Sequence, residues 1–479
     1  MILHLPFKLL GVAFFLTGFF AGQGGALQAQ ISQTVYFMDK LPQSALVNPA
    51  YQHSHNFHLG LPGISSVNAN ARINFASYND LIFNHPHNGS LITFLHPDAN
   101  LSDFTSKLRE SNNISPDLHI NLFSLGFRAR RSFISFNISE RVSGRATLPG
   151  DLIKLGLEGN EQFVGREADF SGTGIDLNHY REYALGYAYR YNKKLNLGIR
   201  AKMLFGKANI SFSDSDIRLY TDPESYNLRL QSSFMVNTSV PMTVIREGGD
   251  IKDIRFHFDD DDYDPLDFVF NTRNSGFAID LGATYQIIEP VTLYASITDL
   301  GFINWKKDVY NFSMNGDFEF DGLDISSSLN SNNNDDPTDN LLDSLQGIFK
   351  ISDTQNSYMR GLPTMIYIGG KYEMASGFNF GLLSRSLLYH GRLEQAVTLS
   401  ANASMRRRLS ASVSYSMMNN KYDNFGMGLS WRGGGFQLYI LTDNLNTVIF
   451  PHRSNSINIW AGLNIVFGNV RPVQKLPVI

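Results

Sequence analysis

Cysteine is absent from the 479 residues, which excludes a disulfide framework, a thiolate-bound zinc and a thiol nucleophile. A basic excess is missing as well. Against 44 Asp and Glu stand only 40 Lys and Arg, a formal charge of -4, so nothing is available to hold a polyphosphate backbone and nucleic acid is not an expected partner. Charged residues of both signs reach only 18%. Long apolar runs are also scarce: beyond the first segment, no stretch reaches the roughly 20 residues that a spanning helix requires.

Aromatic residues are plentiful, at 13% with Phe 36 and Tyr 21, while the mean hydropathy of -0.16 is that of an ordinary soluble chain. Both follow if strands present alternate residues to lipid and to a wet interior, because such a chain averages to neutral. Lys8, the apolar run from Leu9 to Phe20 and the small-residue site at Ala26 to Gln30 form a cleavable export signal over 1–29.

Period-two alternation dominates the remainder. Leu195, Leu197, Ile199, Ala201, Met203 and Phe205 oppose Asn196, Gly198, Arg200, Lys202 and Gly206, with Leu204 the exception. Tyr183 to Tyr191, Phe277 to Ile287, Leu409 to Met417 and Ile457 to Phe467 repeat the pattern. Their second face is Gly, Ser, Ala and Asn with scattered charge, which fills a lumen and cannot pack the dry core of a β-sandwich. About 14 such segments, each near the roughly 10 residues that cross a bilayer tilted, predict an all-β fold: a transmembrane antiparallel β-barrel. Turns at 192–193, 289–290, 375–377, 406–408 and 433–435 are short, whereas the intervals 76–116, 142–178, 241–275 and 301–362 are long and polar. Short turns face the periplasm in such barrels. Two loop segments carry apolar stripes at helical spacing, 338–350 and the weaker set Leu101, Phe104 and Leu108.

The elements Leu46-Val47-Asn48-Pro49-Ala50, Pro149-Gly150-Asp151-Leu152 and Tyr183-Ala184-Leu185-Gly186, with Leu197-Gly198, Lys202 and Asp299 to Trp305, resemble a Bacteroidota outer-membrane β-barrel family of unknown function over about Leu41 to Phe467. Asn48-Pro49-Ala50 is also similar to an element of FadL-like long-chain fatty-acid transporters and of type IX secretion accessory barrels. That likeness implies an N-terminal segment folded inside the barrel as a hatch. The expected organisation is therefore a signal at 1–29, a hatch-like segment at 30–54, the barrel at 55–468 and a tail at 469–479.

Candidate chemistry is sparse. His53, His55 and His58, with His85 and His87, are close in sequence, but strand spacing puts His58 on the other face and no metal site is expected. The Asp259 to Asp262 run with Asp264 and Asp267 lacks the glycine and closing Glu of a calcium loop and reads as a solvated acidic loop. His179 and His390 lack a nucleophile-elbow partner, so no catalytic residues and no enzyme activity are expected. No cofactor is expected either. The charges predicted to point into the lumen are Arg128, Arg130, Glu182, Arg190, Arg200, Lys202 and Asp280, which either pair with one another or with a plug, the favoured reading, or set the selectivity of a pore. Two functions remain open: uptake or binding of a hydrophobic small molecule in an outer membrane, or an accessory barrel contacting secretion or surface proteins.

Overall fold

A computed structural model describes residues 33–468 except 86–88, 248–249, 261–262, 321–351, 390, 406–407 and 419–420. The export signal, the 338–350 stripe, His87, Asp261, Asp262, His390 and the tail lie outside the described residues.

Fourteen antiparallel strands form a closed barrel. In chain order they are β1 (Phe57–Gly60 and Val67–Ile73), β2 (Ser111–Ala129), β3 (Ser132–Pro149), β4 (Gly174–Arg190), β5 (Leu195–Thr221), β6 (Asn274–Ile288) and β7 (Val291–Trp305). The second half comprises β8 (Tyr358–Gly361 and Thr364–Ala375), β9 (Phe378–Tyr389), β10 (Arg392–Met405), β11 (Leu409–Met418), β12 (Lys421–Gly433), β13 (Phe436–Thr442) and β14 (Ser456–Phe467). Closure runs through β1, whose two halves each pair with both β14 and β2. Among the described residues the barrel ring itself has no open edge, as a sheet in lipid requires.

Alternation decides which side chain faces which solvent. In β11, Ser412, Ser414 and Ser416 are buried while Val413 is 56% exposed. In β4, Glu182, Ala184 and Ala188 are buried whereas Leu185, Tyr187 and the following Tyr191 are exposed. The outward set is thus apolar, and near the short-turn end it becomes aromatic, with Tyr285, Tyr372, Phe380, Trp431, Phe436 and Phe467 all exposed. Such a belt matches the interfacial girdle of membrane barrels.

The two ends differ. At the turn end the strands are joined by connections such as Arg130–Arg131 between β2 and β3. At the loop end β5 continues for 27 residues, about 90 Å at strand rise. Its first half pairs with β6 and its second half with Leu228–Ser239, which pairs in turn with Val309–Phe320. The barrel wall therefore extends as a β-arm well past the bilayer thickness. The weaker loop stripe forms a helix at Leu101–Ser106 that buries Phe104 against the ring of Phe94, centroids 4.3 Å apart.

Candidate functional site

The lumen is filled by the chain's own N-terminal segment. From Gln33 to His55 the backbone winds through turns and a 3-10 helix at Pro42–Leu46, and its side chains touch strands on every side. Gln33 and Thr34 donate backbone N–H groups to the Asp443 carboxylate at 2.7 and 3.0 Å. Thr34 Oγ1 lies 2.8 Å from Ser414 Oγ on β11. Gln43 and Asn464 on β14 exchange amide hydrogen bonds of 2.9 and 3.0 Å. Asp39 pairs with Lys371 on β8 at 3.0 Å, and Ser296 on β7 donates to the Val47 carbonyl at 2.7 Å. Toward the turn end, Arg128 on β2 donates to Gln52 Oε1 at 2.9 Å and to the His53 carbonyl.

Asn48-Pro49-Ala50 sits against two glycines of the wall. A Cβ added at Gly198 on β5 would lie 2.2 Å from the Pro49 carbonyl carbon, and one at Gly282 on β6 would lie 2.3 Å from Asn48 Oδ1. Only glycine allows this approach of wall and plug. Asn48 Oδ1 accepts from the Ala50 N–H at 3.0 Å, an Asx turn that fixes the bend, and Asn48 Nδ2 donates to Tyr36 Oη at 3.2 Å.

Apolar packing fills the space between these polar contacts. Val35, Tyr36, Phe37, Leu41, Val47 and Tyr51 of the plug meet Tyr294, Tyr367, Leu383, Tyr439, Leu441 and Trp460 of the wall, all buried. Tyr36 stacks on Tyr367 with centroids 5.2 Å apart. A polar, water-filled channel would show no such cluster at its centre.

Beside the plug lies a buried ionic cluster. Arg200 reaches Glu182 at 3.0 Å and Asp280 at 3.2 Å, and Lys202 reaches Asp280 at 2.8 Å and also Asp299. Arg141 stands 3.8 Å from Glu182 and 3.9 Å from Asp299. Three cations thus face three carboxylates. Arg200 also donates to the Ala45 carbonyl at 3.3 Å, which ties this cluster to the plug. Replacing such ions by apolar groups is often neutral or stabilising, so the cluster is better explained by positioning than by stability. Asp299 adopts φ 60° in the middle of β7, where the register with β6 shifts, and its N–H donates to Asp280 Oδ1 at 2.7 Å. That strained bulge turns its carboxylate inward.

Of the charges expected in the lumen, Glu182, Arg200, Lys202 and Asp280 meet in this cluster. Arg128 lies apart, on β2, where it holds the plug at the turn end. Arg190 is half-buried at the last residue of β4, and Arg130 is exposed on the β2–β3 turn with φ 54°. Arg141 and Asp299 are additional members. Arg141 lies on the inward parity of β3 with Ser139, one residue before the interval 142–178 that reads as loop. Asp299 falls on the lipid-facing parity, where the expense of an unpaired carboxylate is the only sign that alternation must break.

The three N-terminal histidines come together despite their spacing. His53 and His55 precede β1, their rings stacked 5.0 Å apart, and His55 Nε2 lies 3.2 Å from His58 Nδ1. All three pack on Phe133. Burial pushes His53 down to about 4 and drives His55 well below its usual range, so both stay neutral near pH 7. His179 hydrogen-bonds Glu140 at 2.7 Å, and Arg181 pairs with the other oxygen of the same carboxylate at 2.7 Å. The described part of the acidic loop is mostly solvent-exposed beside a short helix, Pro265–Val269. On the loop side of the plug a cleft of about 60 Å³ is lined by residues including Asp117, Gly144, Asp176, Leu387 and Tyr389.

No curated protein matches the chain in sequence. Among solved structures it is similar to the toluene transporter TbuX of Ralstonia pickettii, at 9% identity and TM-score 0.42 over 90% of this chain and 95% of that one. It is similar also to a Pseudomonas aeruginosa FadL homologue, at 11% identity and TM-score 0.39 over 89% and 94%. The Pseudomonas putida toluene transporter TodX gives 8% identity and TM-score 0.33 over 93% and 95%. A family model matches residues 49–443, most of the chain, and the protein belongs to that family, the family of unknown function DUF5723.

Proposed function

We propose that this barrel resides in the outer membrane of a Gram-negative bacterium and binds or admits a small, largely apolar molecule, with residues 33–54 acting as its hatch. The observation that carries this reading is the aromatic and aliphatic cluster at the centre of the lumen, where Tyr36, Tyr51 and Val47 cover Tyr294, Tyr367 and Trp460. Ligand sites of drug-sized molecules occupy about 300–1,000 Å³. The cleft of about 60 Å³ is far smaller, so passage needs the plug to move. Its displacement uncovers tyrosine, tryptophan and leucine surfaces beside a self-paired ionic cluster, which favours an apolar solute with a few polar groups. The contacts holding the plug to β2, β8 and β14 are discrete hydrogen bonds and ion pairs. They can be broken one at a time.

The experiment is mass spectrometry of small molecules and proteins that copurify from native outer membranes in mild detergent. A stoichiometric apolar compound, reduced when Tyr367→Ala and Trp460→Ala disrupt the cluster, is the expected result. A reproducible protein partner with no such compound would instead support the accessory reading, for which the extended arm built on β5 offers a surface.

A further inference from the structure

The segment between β1 and β2 forms a small flap at the loop end of the barrel. Ile82–Asn84 pairs with Leu91–Thr93 as a hairpin, closed by an N–H···O bond of 2.7 Å from His85 to Ser90. A tight turn follows, in which Ala99 donates its N–H to the His96 carbonyl at 2.8 Å. His85 and His96 are each followed by proline in the sequence, which confines their backbone to extended conformations. These constraints bring His85, His96 and Asp98 to one point. His85 Nε2 lies 2.9 Å from Asp98 Oδ2, and His96 Nδ1 lies 3.8 Å from the same oxygen. One donor atom from each residue falls within 4.8 Å of the others. The two imidazole planes cross at 88° with centroids 5.5 Å apart, so they meet edge to face rather than stacked.

We propose that His85, His96 and Asp98 bind a divalent transition metal of the borderline class, zinc or copper(II), through Nε2, Nδ1 and Oδ2. Donors around a tetrahedral zinc at its usual bond lengths stand about 3.4 Å apart, so the observed spacings need adjustments on the order of 1 Å. Two imidazoles with one carboxylate suit zinc or copper and disfavour calcium and magnesium, which prefer all-oxygen shells. The His85 side chain is 10% exposed while Asp98 is 58% exposed, so the site opens to solvent on one side, leaving a fourth position for water. Without metal, a His85 N–H···Oδ2 bond and an Asp98 N–H···Nδ1 bond of 3.2 Å to His96 occupy the same atoms. Metal replaces both contacts, and His85 takes the tautomer with its proton on Nδ1. The ion then ties the hairpin to the turn that leads into the Leu101–Ser106 helix, stiffening the flap.

The test uses full-length protein without a histidine tag, titrated in detergent with zinc against a competing chromogenic chelator at neutral pH. One equivalent is expected to bind, with affinity falling at least tenfold in His85→Ala and in His96→Ala. Copper(II) loading should give an electron-paramagnetic-resonance spectrum with hyperfine coupling to two nitrogens in the unaltered protein and fewer in either variant. Heat-modifiable electrophoretic migration, which reports the folded barrel, should be unchanged because the flap lies outside it. Absence of zinc binding by the unaltered protein, or an affinity in both variants unchanged from that of the unaltered protein, would overturn the proposal.

Discussion

At the scale of single residues, the wall is shaped around the plug. Gly198 faces Pro49 backbone, which cannot rotate away, at a separation that no Cβ tolerates. Gly198→Ala is therefore expected to weaken docking of the hatch by about 1–3 kcal/mol, the range for overpacking. Limited proteolysis of residues 33–54 in detergent checks it: faster cleavage with an intact barrel fragment is expected, and an unchanged rate would mean that the plug accommodates the methyl group. Arg200 carries a different kind of contact, bridging Glu182, Asp280 and the Ala45 carbonyl. Arg200→Ala leaves buried carboxylates short of a partner, which costs about 3–5 kcal/mol. The temperature at which the barrel loses heat-modifiable migration should fall, and Arg200→Lys should restore only part of it because an ammonium lacks the planar fork that spans both acids.

The hatch is an element whose docking depends on neutral imidazole. Burial lowers His53 to about 4 from an ordinary 6.5, and released into water it regains the ordinary value. The undocked state therefore holds more protons between those limits, so docking is fully stabilised above about 6.5 and loses that stabilisation as pH falls to about 4. Hydrogen-exchange protection of residues 33–54, corrected for the intrinsic pH dependence of amide exchange, should fall across this window, and His53→Phe should reduce the response. Corrected protection that ignores pH in this range would contradict the assignment. How legible these elements are in the sequence depends on how locally they are determined. Strands such as β11 are written directly in alternation, because Ser412 and Val413 face different solvents whatever surrounds them. Asp299 is not, since one extra residue in β7 inverts its parity and depends on a partner strand far along the chain. Nor is the histidine triad, because His53 and His55 precede β1 and follow the plug rather than the pleat. A tripeptide at 48–50 marks the hatch, but the glycines that receive it become meaningful only when β5 and β6 lie side by side.

At the scale of the whole molecule, a closed barrel holds residues 33–55 of its own chain in its lumen, and the proposed function requires that segment to shift before anything passes. The plug is anchored at both ends, by Thr34 near Ser414 and by continuity into β1. Since the chain has Cys 0, Thr34→Cys with Ser414→Cys introduces a single pair, and their present hydroxyl oxygens, 2.8 Å apart, lie within disulfide reach. The decisive measurement is the conductance of this variant in planar bilayers, oxidised and reduced, at pH 7 and near pH 4.5. The reduced protein is expected to be quiet at pH 7 and to show bursts of opening at the lower pH, while the oxidised protein stays closed at both. A steady conductance at pH 7 in either redox state, or acid openings that persist in the oxidised protein, would show that residues 33–54 are not the gate.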